Sequence, residues 1–85
     1  MSKIKVGVIF GGQSTEHDVS VVSGSSVIKN LNKEKYEIYP IYISKNGEWF
    51  HYIKPVQDIE IFEIGEQPKE LEKISNEFET LKKQD

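Results

Sequence analysis

The junction in VIFGGQSTEHDVSVVSG, Val8 to Gly24, constrains the fold more than any other stretch of the chain. An apolar run stops on two glycines, a polar hexamer follows, and a segment rich in valine and serine begins. Lys3 to Phe10, KIKVGVIF, reads as a strand that starts by alternating and becomes continuously apolar, the pattern of a strand covered on both faces. Gly11 and Gly12 end it. Val19 to Leu31 reads as a helix, with Thr15 as cap and Asp18 three residues on, a capping-box spacing with Asp in place of Glu. Val19, Val22, Val27, Ile28 and Leu31 spread around most of its circumference, between the small residues Ser20, Ser23, Gly24, Ser25 and Ser26. That spread predicts burial on more than one side. Valine, serine and glycine are poor helix formers, so packing must hold this helix.

The following elements are shorter. Tyr36 to Ser44, YEIYPIYIS, is a second strand, rich in aromatic and β-branched residues, and Pro40 within it suggests a sheet edge or a bulge. Lys45-Asn46-Gly47 is a turn leading into a third strand over Glu48–Ile53, as a hairpin with the second. Val56 to Ile64 reads as another short strand. Glu66 to Lys83 reads as a C-terminal helix, with Pro68 in its first turn and Leu71, Ile74, Phe78 and Leu81 along one narrow stripe. Strand, glycine turn, helix, short connector, strand is a βαβ unit. The fold class is therefore α/β, with a mostly parallel sheet, a hairpin and a terminal helix. So thin a sheet, in 85 residues, looks like the opening of a larger α/β domain.

Composition narrows the function classes. All eleven cations are lysine, so the planar forks that grip phosphate or guanine bidentately are missing, and a net charge of −3 draws no nucleic acid. The second half carries most of the acid, which reads as a solvated face. Cysteine is absent, so disulfides and thiolate–metal sites are excluded. No apolar run is long enough to cross a bilayer and no signal-peptide pattern opens the chain, so a cytoplasmic protein is expected.

In a βαβ unit the turn after the first strand lies at the carboxyl edge of the sheet, where open α/β sheets bind ligands, and the helix N-terminus brings its unpaired N–H groups there. Three readings of Gly11–Asp18 compete. The glycine pair and helix end could cradle a phosphate, although GGQSTE is neither a GxGxxG nor a Walker loop and sets a carboxylate, not a lysine, beside the site. Glu16 could meet a cationic ligand through its carboxylate. Or Glu16 and Asp18 merely complement the helix dipole, with His17 a surface residue. His51 is the second of two histidines, so a two-histidine metal site requires the fold to bring it to His17. No G-x-S-x-G elbow surrounds Ser14, Ser20 or Ser23, so capping or close packing suits them better than nucleophilic roles. Trp49, Phe50 and Tyr52 read as hairpin core in preference to a stacking surface.

The run VGVIFGGQSTEHDVSVVSGSSVIKNL, Val6 to Leu31, resembles the opening of the D-alanine–D-alanine ligases of the ATP-grasp superfamily. The family pattern is a strand, then G-G-x-S-x-E-x-x-V-S, then a small-residue helix. Gly11, Gly12, Ser14, Glu16, Val19 and Ser20 fill every fixed position. YPIYISKNGEWF, Tyr39 to Phe50, is similar to the family's second strand and turn. The likeness covers residues 3–52 well and is loose beyond Ile53. It implies a partial Rossmann-like, pre-ATP-grasp domain, with residues 1–85 as the N-terminal substrate-binding domain of an enzyme several times longer. The central and ATP-grasp domains, which hold ATP and Mg²⁺, lie outside this chain, so the fragment alone is expected to be inactive.

The resemblance also implies chemistry. ATP phosphorylates the carboxylate of one D-alanine, and the amine of a second attacks the acyl phosphate to give the dipeptide of peptidoglycan precursors in cell-wall biogenesis. Glu16 matches the glutamate that helps anchor the ammonium of the first D-alanine, which favours the cationic reading. Ser20 matches a serine near that glutamate, suited to orienting it. Val19 matches a residue beside the substrate methyl, and Gly11 and Gly12 let the backbone come close to substrate. His17 and Asp18 fall where the family varies and receive no catalytic role. The full-length enzyme is expected to be a homodimer. Two alternatives remain open: a D-alanine–D-lactate ligase, which shares this opening, and a free-standing, non-catalytic α/β binding module.

Overall fold

The computed structural model describes residues 2–74. Strand β1 (Ile4–Gly11) leads through the glycine turn into helix α1 (His17–Asn30), then to β2 (Tyr36–Ile43), β3 (Trp49–Tyr52), a 3₁₀ turn at Val56–Asp58 and β4 (Leu71–Lys73). The four strands form one sheet in chain order. The parallel β1–β2 ladder runs from Ile4↔Tyr36 to Gly11↔Ile43, so both strands end at one carboxyl edge. The β2–β3 and β3–β4 ladders are antiparallel and short. The fold is α/β and changes character after β2: a βαβ unit comes first, a meander follows.

Alternation along the strands selects the residues that meet α1. Phe10 on β1, Ile38 and Tyr42 on β2, and Tyr52 on β3 join Val21 and Ile28 of α1 and Ile59 in a single buried cluster. The Phe10 ring stands 5.6 Å from that of Tyr42 and 6.1 Å from that of Tyr52, within the range of favourable aromatic pairs. Tyr52 and half-buried Phe50 take the hairpin-core role expected of them. The turn before β3 closes with the Gly47 N–H on the Ser44 carbonyl at 3.0 Å. Pro40 pairs with Val8 but lies just outside the β2–β3 ladder, which spans Ile41–Ile43. The strand has β1 alone beside it there, so the missing N–H breaks no rung toward β3.

Four expectations change. First, α1 starts at His17, and its N-cap Glu16 makes no side-chain cap bond; the Thr15–Asp18 capping box is not formed. Ser14 serves instead, its Oγ accepting the Glu16 N–H at 3.1 Å and its carbonyl accepting the His17 N–H at 3.1 Å. Second, α1 buries one stripe, His17, Val21, Gly24, Ser25 and Ile28, and leaves Val19 and Val27 half exposed. A polar ring, a glycine and a serine hold core positions that residue type alone assigned to valine. In the same way β1 is covered on one face only, and Ile9 on its other face is exposed.

Third, Val56–Ile64 is no strand. After the 3₁₀ turn it runs as an extended strap across α1: Ile59 enters the core, the Phe62 N–H donates to Ser25 Oγ at 2.9 Å, and Lys29 pairs with Glu60 at 2.7 Å. Its backbone bonds to a helix side chain, not to a neighbouring strand. Fourth, the C-terminal helix is contradicted over Glu66–Ile74, where Leu71–Lys73 adds to the sheet edge against Phe50–Tyr52. The Ile53 N–H reaches the Glu70 carbonyl at 2.9 Å and the Ile74 N–H the Trp49 carbonyl at 3.0 Å. The open edge of β3 outweighs a weak local helical period. Phe78 and Leu81, the rest of that stripe, lie outside the described residues.

Candidate functional site

The glycine turn is built so that its amides face inward. The Gly11 N–H donates to Ser20 Oγ at 3.0 Å, tying the end of β1 to the second turn of α1. The Gly12 N–H donates to the Ile43 carbonyl at 2.8 Å, extending the parallel ladder past the last strand residue. Both glycines have positive φ, +90° and +107°. With both donors engaged inside the fold, the pair has no N–H left to cradle a phosphate, and the phosphate reading loses its main donors. The glycine pair therefore offers the phosphates of ATP no amide donor. Among the described residues, no three His, Asp or Glu side chains come together as a metal site either.

What the turn presents outward is a carboxylate. Glu16 is exposed at the start of α1, at the carboxyl edge of β1 and β2, and its backbone carbonyl accepts the Ser20 N–H at 2.8 Å. Val19 and Ser20, three and four residues on, lie on the same side of the helix as Glu16. Val19 is half exposed beside it. The structure thus gathers Gly11, Gly12, Glu16, Val19 and Ser20 at one edge. Ser20 differs from expectation in its partner: its hydroxyl oxygen holds the Gly11 amide, and no bond to the Glu16 carboxylate is formed.

Behind this edge lies a network that residue type did not reveal. His17 is not a surface residue: it is 2% exposed. Its Nδ1 lies 2.6 Å from the Gly12 carbonyl oxygen, and its Nε2 lies 2.9 Å from Gln67 Oε1 and 3.0 Å from the Tyr42 hydroxyl. Tyr42 stands edge-on to the imidazole at 5.5 Å between ring centroids. Burial, and secondarily the Asp18 carboxylate, raise the Tyr42 phenol above its ordinary pKa, so it remains a donor at neutral pH. Gln67 Nε2 donates to Asp18 Oδ1 at 2.9 Å, and Lys45 Nζ stands 3.6 Å from the same oxygen. His51 sits on β3 opposite Ile41, whereas Tyr42, which reaches His17, pairs with Phe50. The two histidines thus lie on opposite faces of the sheet, which removes the two-histidine site. The one sequence signal for the network was His17 standing between two acids, and Gln67, fifty residues away, carried none.

A parallel βα junction whose two glycine amides are engaged within the fold, with an exposed acid at the strand carboxyl ends, defines an α/β domain of the βαβ type. The matching family model is described as the D-ala D-ala ligase N-terminus and spans residues 5–85; the chain belongs to that family. Among curated relatives, D-alanine–D-alanine ligase B of Clostridium tetani is 54% identical over 59 residues, 69% of this chain and 16% of that protein. The D-alanine–D-alanine ligase of Thermoanaerobacter pseudethanolicus is 53% identical over 70 residues, 82% of this chain and 19% of that protein. The fold is similar to the VanG D-Ala:D-Ser ligase from Enterococcus faecalis, with a TM-score of 0.61 and 46% identity over 68% of this chain and 17% of that one. It is also similar to the D-alanine–D-alanine ligase from Coxiella burnetii, at TM-score 0.60, 36% identity, 65% of this chain and 16% of that one. The match spans less than a fifth of each of these relatives.

Proposed function

We propose that residues 1–85 are the N-terminal, substrate-binding domain of an ATP-dependent D-alanine–D-alanine ligase that supplies peptidoglycan precursors, and that Glu16 holds the ammonium of the first D-alanine. The observation that carries this reading is the exposed Glu16 carboxylate beside a glycine pair whose two amides are engaged within the fold, which favours a cation over a phosphate cradled by that pair. Val19 supplies an apolar contact for the substrate methyl beside that carboxylate. Gly11 and Gly12 let the ligand approach the backbone, and Ser20 keeps the turn and helix in register. The contribution is positional, since an anchored ammonium sets where the substrate carboxylate lies for the bond-forming step.

ATP with Mg²⁺ supplies the activation of the substrate carboxylate; among the described residues no three His, Asp or Glu side chains come together as a metal site. The remaining ligase domains hold ATP and Mg²⁺ in this reading and cover the open sheet face, where Ile9, Tyr39 and Ile53 are exposed. The enzyme is read as cytoplasmic and, when complete, homodimeric; among the described residues no helix is long and apolar enough to cross a membrane. The likeness to a D-Ala:D-Ser ligase supports a second reading in which the acceptor carries a hydroxyl-bearing side chain, with the role of Glu16 unchanged. A D-lactate acceptor leaves that role unchanged too.

The test is Glu16→Gln in the complete enzyme. It keeps size and removes the charge that meets the ammonium. A charge-assisted hydrogen bond is worth about 1.5–3 kcal/mol, so kcat/KM for D-alanine falls roughly 10- to 150-fold. The melting temperature falls only slightly, because the Glu16 side chain makes no cap bond and only its exposed helix-end charge is lost. Unchanged kinetics would reduce Glu16 to a helix-end charge.

A further inference from the structure

The buried ring of His17 follows directly after Glu16 in the chain and has no part in the reading above. We propose that His17 is a positioning residue: it locks the glycine turn and the segment ahead of β4 onto the first turn of α1, and so sets where the Glu16 carboxylate stands. This rests on the reading of Glu16 as the ammonium anchor.

Three observations carry it. The first is the contact with Gly12. A carbonyl oxygen only accepts, so at 2.6 Å the ring must donate from Nδ1. That bond closes the turn from Gly12 to His17, with Glu16 inside the closed loop. The second is that Glu16 has little else to hold it. Gln13, Ser14, Thr15 and Glu16 are all exposed, and the local bonds are those of Ser14 to the Glu16 and His17 amides and of the Ser20 N–H to the Glu16 carbonyl, all on the backbone side of Glu16. The ring is the buried anchor of an otherwise exposed turn.

The third is the grip on Gln67. Asp18 accepts from Gln67 Nε2 at 2.9 Å, and a carboxylate cannot donate in return, so the amide orientation is settled and Oε1 faces the ring at 2.9 Å from Nε2. Asp18 thus holds one amide from the β3–β4 connection, and the neighbouring His17 ring adds a second bond to it when Nε2 carries a proton. The Tyr42 hydroxyl lies 3.0 Å from both Nε2 and Gln67 Oε1. With a neutral ring, the Tyr42 O–H fills the Nε2 lone pair and the ring makes no bond to Gln67 Oε1, itself an acceptor; with both nitrogens protonated, Nε2–H and the Tyr42 O–H both donate to Gln67 Oε1. In either state Nδ1 donates to Gly12, so the lock on the turn does not depend on the ring's charge.

The experiment compares His17→Phe, His17→Asn and Glu16→Gln, singly and combined, in the complete ligase. Phenylalanine keeps a ring in the slot and removes both nitrogens. Asparagine keeps a donor near the place of Nδ1. His17→Phe is expected to raise KM for the first D-alanine about 10-fold with KM for ATP unchanged, and His17→Asn to recover most of that loss. Added to Glu16→Gln, His17→Phe is expected to cost nothing further, because it acts through the same carboxylate. Losses that multiply, or that fall equally on KM for ATP and on kcat, would overturn the proposal and leave His17 a core residue. If Glu16→Gln alone is neutral, the reading of Glu16 fails, a different outcome from a neutral His17→Phe beside an impaired Glu16→Gln. Where His17→Phe does not fold, His17→Gln replaces it: its longer amide reaches toward Gln67 and away from Gly12. It is then expected to be about 10-fold worse in KM than His17→Asn, and equal values would overturn the proposal.

Discussion

An alanine at Gly11 would meet two obstacles at once. The backbone has φ +90°, and a Cβ would stand 2.3 Å from the Ile43 carbonyl oxygen, a backbone atom held in the parallel ladder. Gly24 has an ordinary helical backbone, but a Cβ there would lie 2.3 Å from Cβ of Phe10, where α1 crosses β1. Gly11→Ala is expected to cost about 1–3 kcal/mol from backbone strain before any clash is counted, and Gly24→Ala about 1–3 kcal/mol from overpacking. Each kcal/mol lowers Tm by about 4–8 °C in a domain of this size. Gly7 serves as the control: an added Cβ would have no heavy atom within 4 Å, and Gly7→Ala is expected to leave Tm unchanged or slightly raised. A melting curve on each variant checks the ordering. The glycine pair was legible in the sequence as a turn, since two glycines after an apolar run leave few alternatives. The burial of His17 was not, because whether a polar ring is inside depends on acceptors that the chain brings from Gly12, Tyr42 and Gln67.

The strap over α1 and the edge strand β4 are held by few contacts, and those contacts can be tested one by one. Ser25 Oγ is fully buried; it donates to the Val22 carbonyl at 2.9 Å and accepts the Phe62 N–H at 2.9 Å. Ser25→Ala leaves that N–H without its partner, at a cost of about 1–3 kcal/mol, and a lowered urea midpoint measures it. Two exposed carboxylates tie the same elements electrostatically. A hydrogen bond from Lys73 on β4, aided by Asn46, holds the Glu48 carboxyl below its usual pKa of 4.5, and a hydrogen bond from Lys29 on α1 does the same for Glu60 on the strap. A depressed carboxyl contributes stability above its unfolded pKa and loses it as pH falls through the folded value. Stability should therefore dip below pH 4.5, modestly, because both groups are solvated. Urea midpoints from about pH 6 to about pH 3 should show that part of the dip disappearing in Lys29→Met and Lys73→Met.

As a whole, the described molecule is a sheet with a helix on one face. The other face exposes Ile9 and Ile53, each at 56%, and α1 leaves Val19 and Val27 half exposed on its outer side. Apolar surface of this extent on a small domain marks a place where something else packs. The isolated 85-residue chain is expected to bind a hydrophobic dye and to self-associate as concentration rises, read by light scattering; a monomer at every concentration with no dye signal would count against it. The same chain, incubated with ATP, Mg²⁺ and D-alanine, is expected to release no phosphate above a control without protein. Its glycine amides are engaged within the fold, and its described acids do not converge on a metal site.

Short-range order was readable in advance because it is written in neighbouring residues. The apolar run to Phe10, the glycine pair, the serine- and valine-rich helix and the Asn-Gly turn each carry their own period or backbone preference, and β1, α1, β2 and β3 follow within a residue or two of where those signals put them. The outward carboxylate at position 16 follows as well, since a helix beginning that soon after a strand has its first turn at the sheet's carboxyl edge. Contacts across long stretches of chain were not readable. Leu71–Lys73 became a strand because β3 had an edge to fill, Val56–Ile64 became a strap because Ser25 offered an acceptor, and His17 went inside because Gln67, fifty residues on, met its second nitrogen. Hydrogen-bond partners that distant leave no periodicity behind, and which of them pair is settled by the packing of the folded chain.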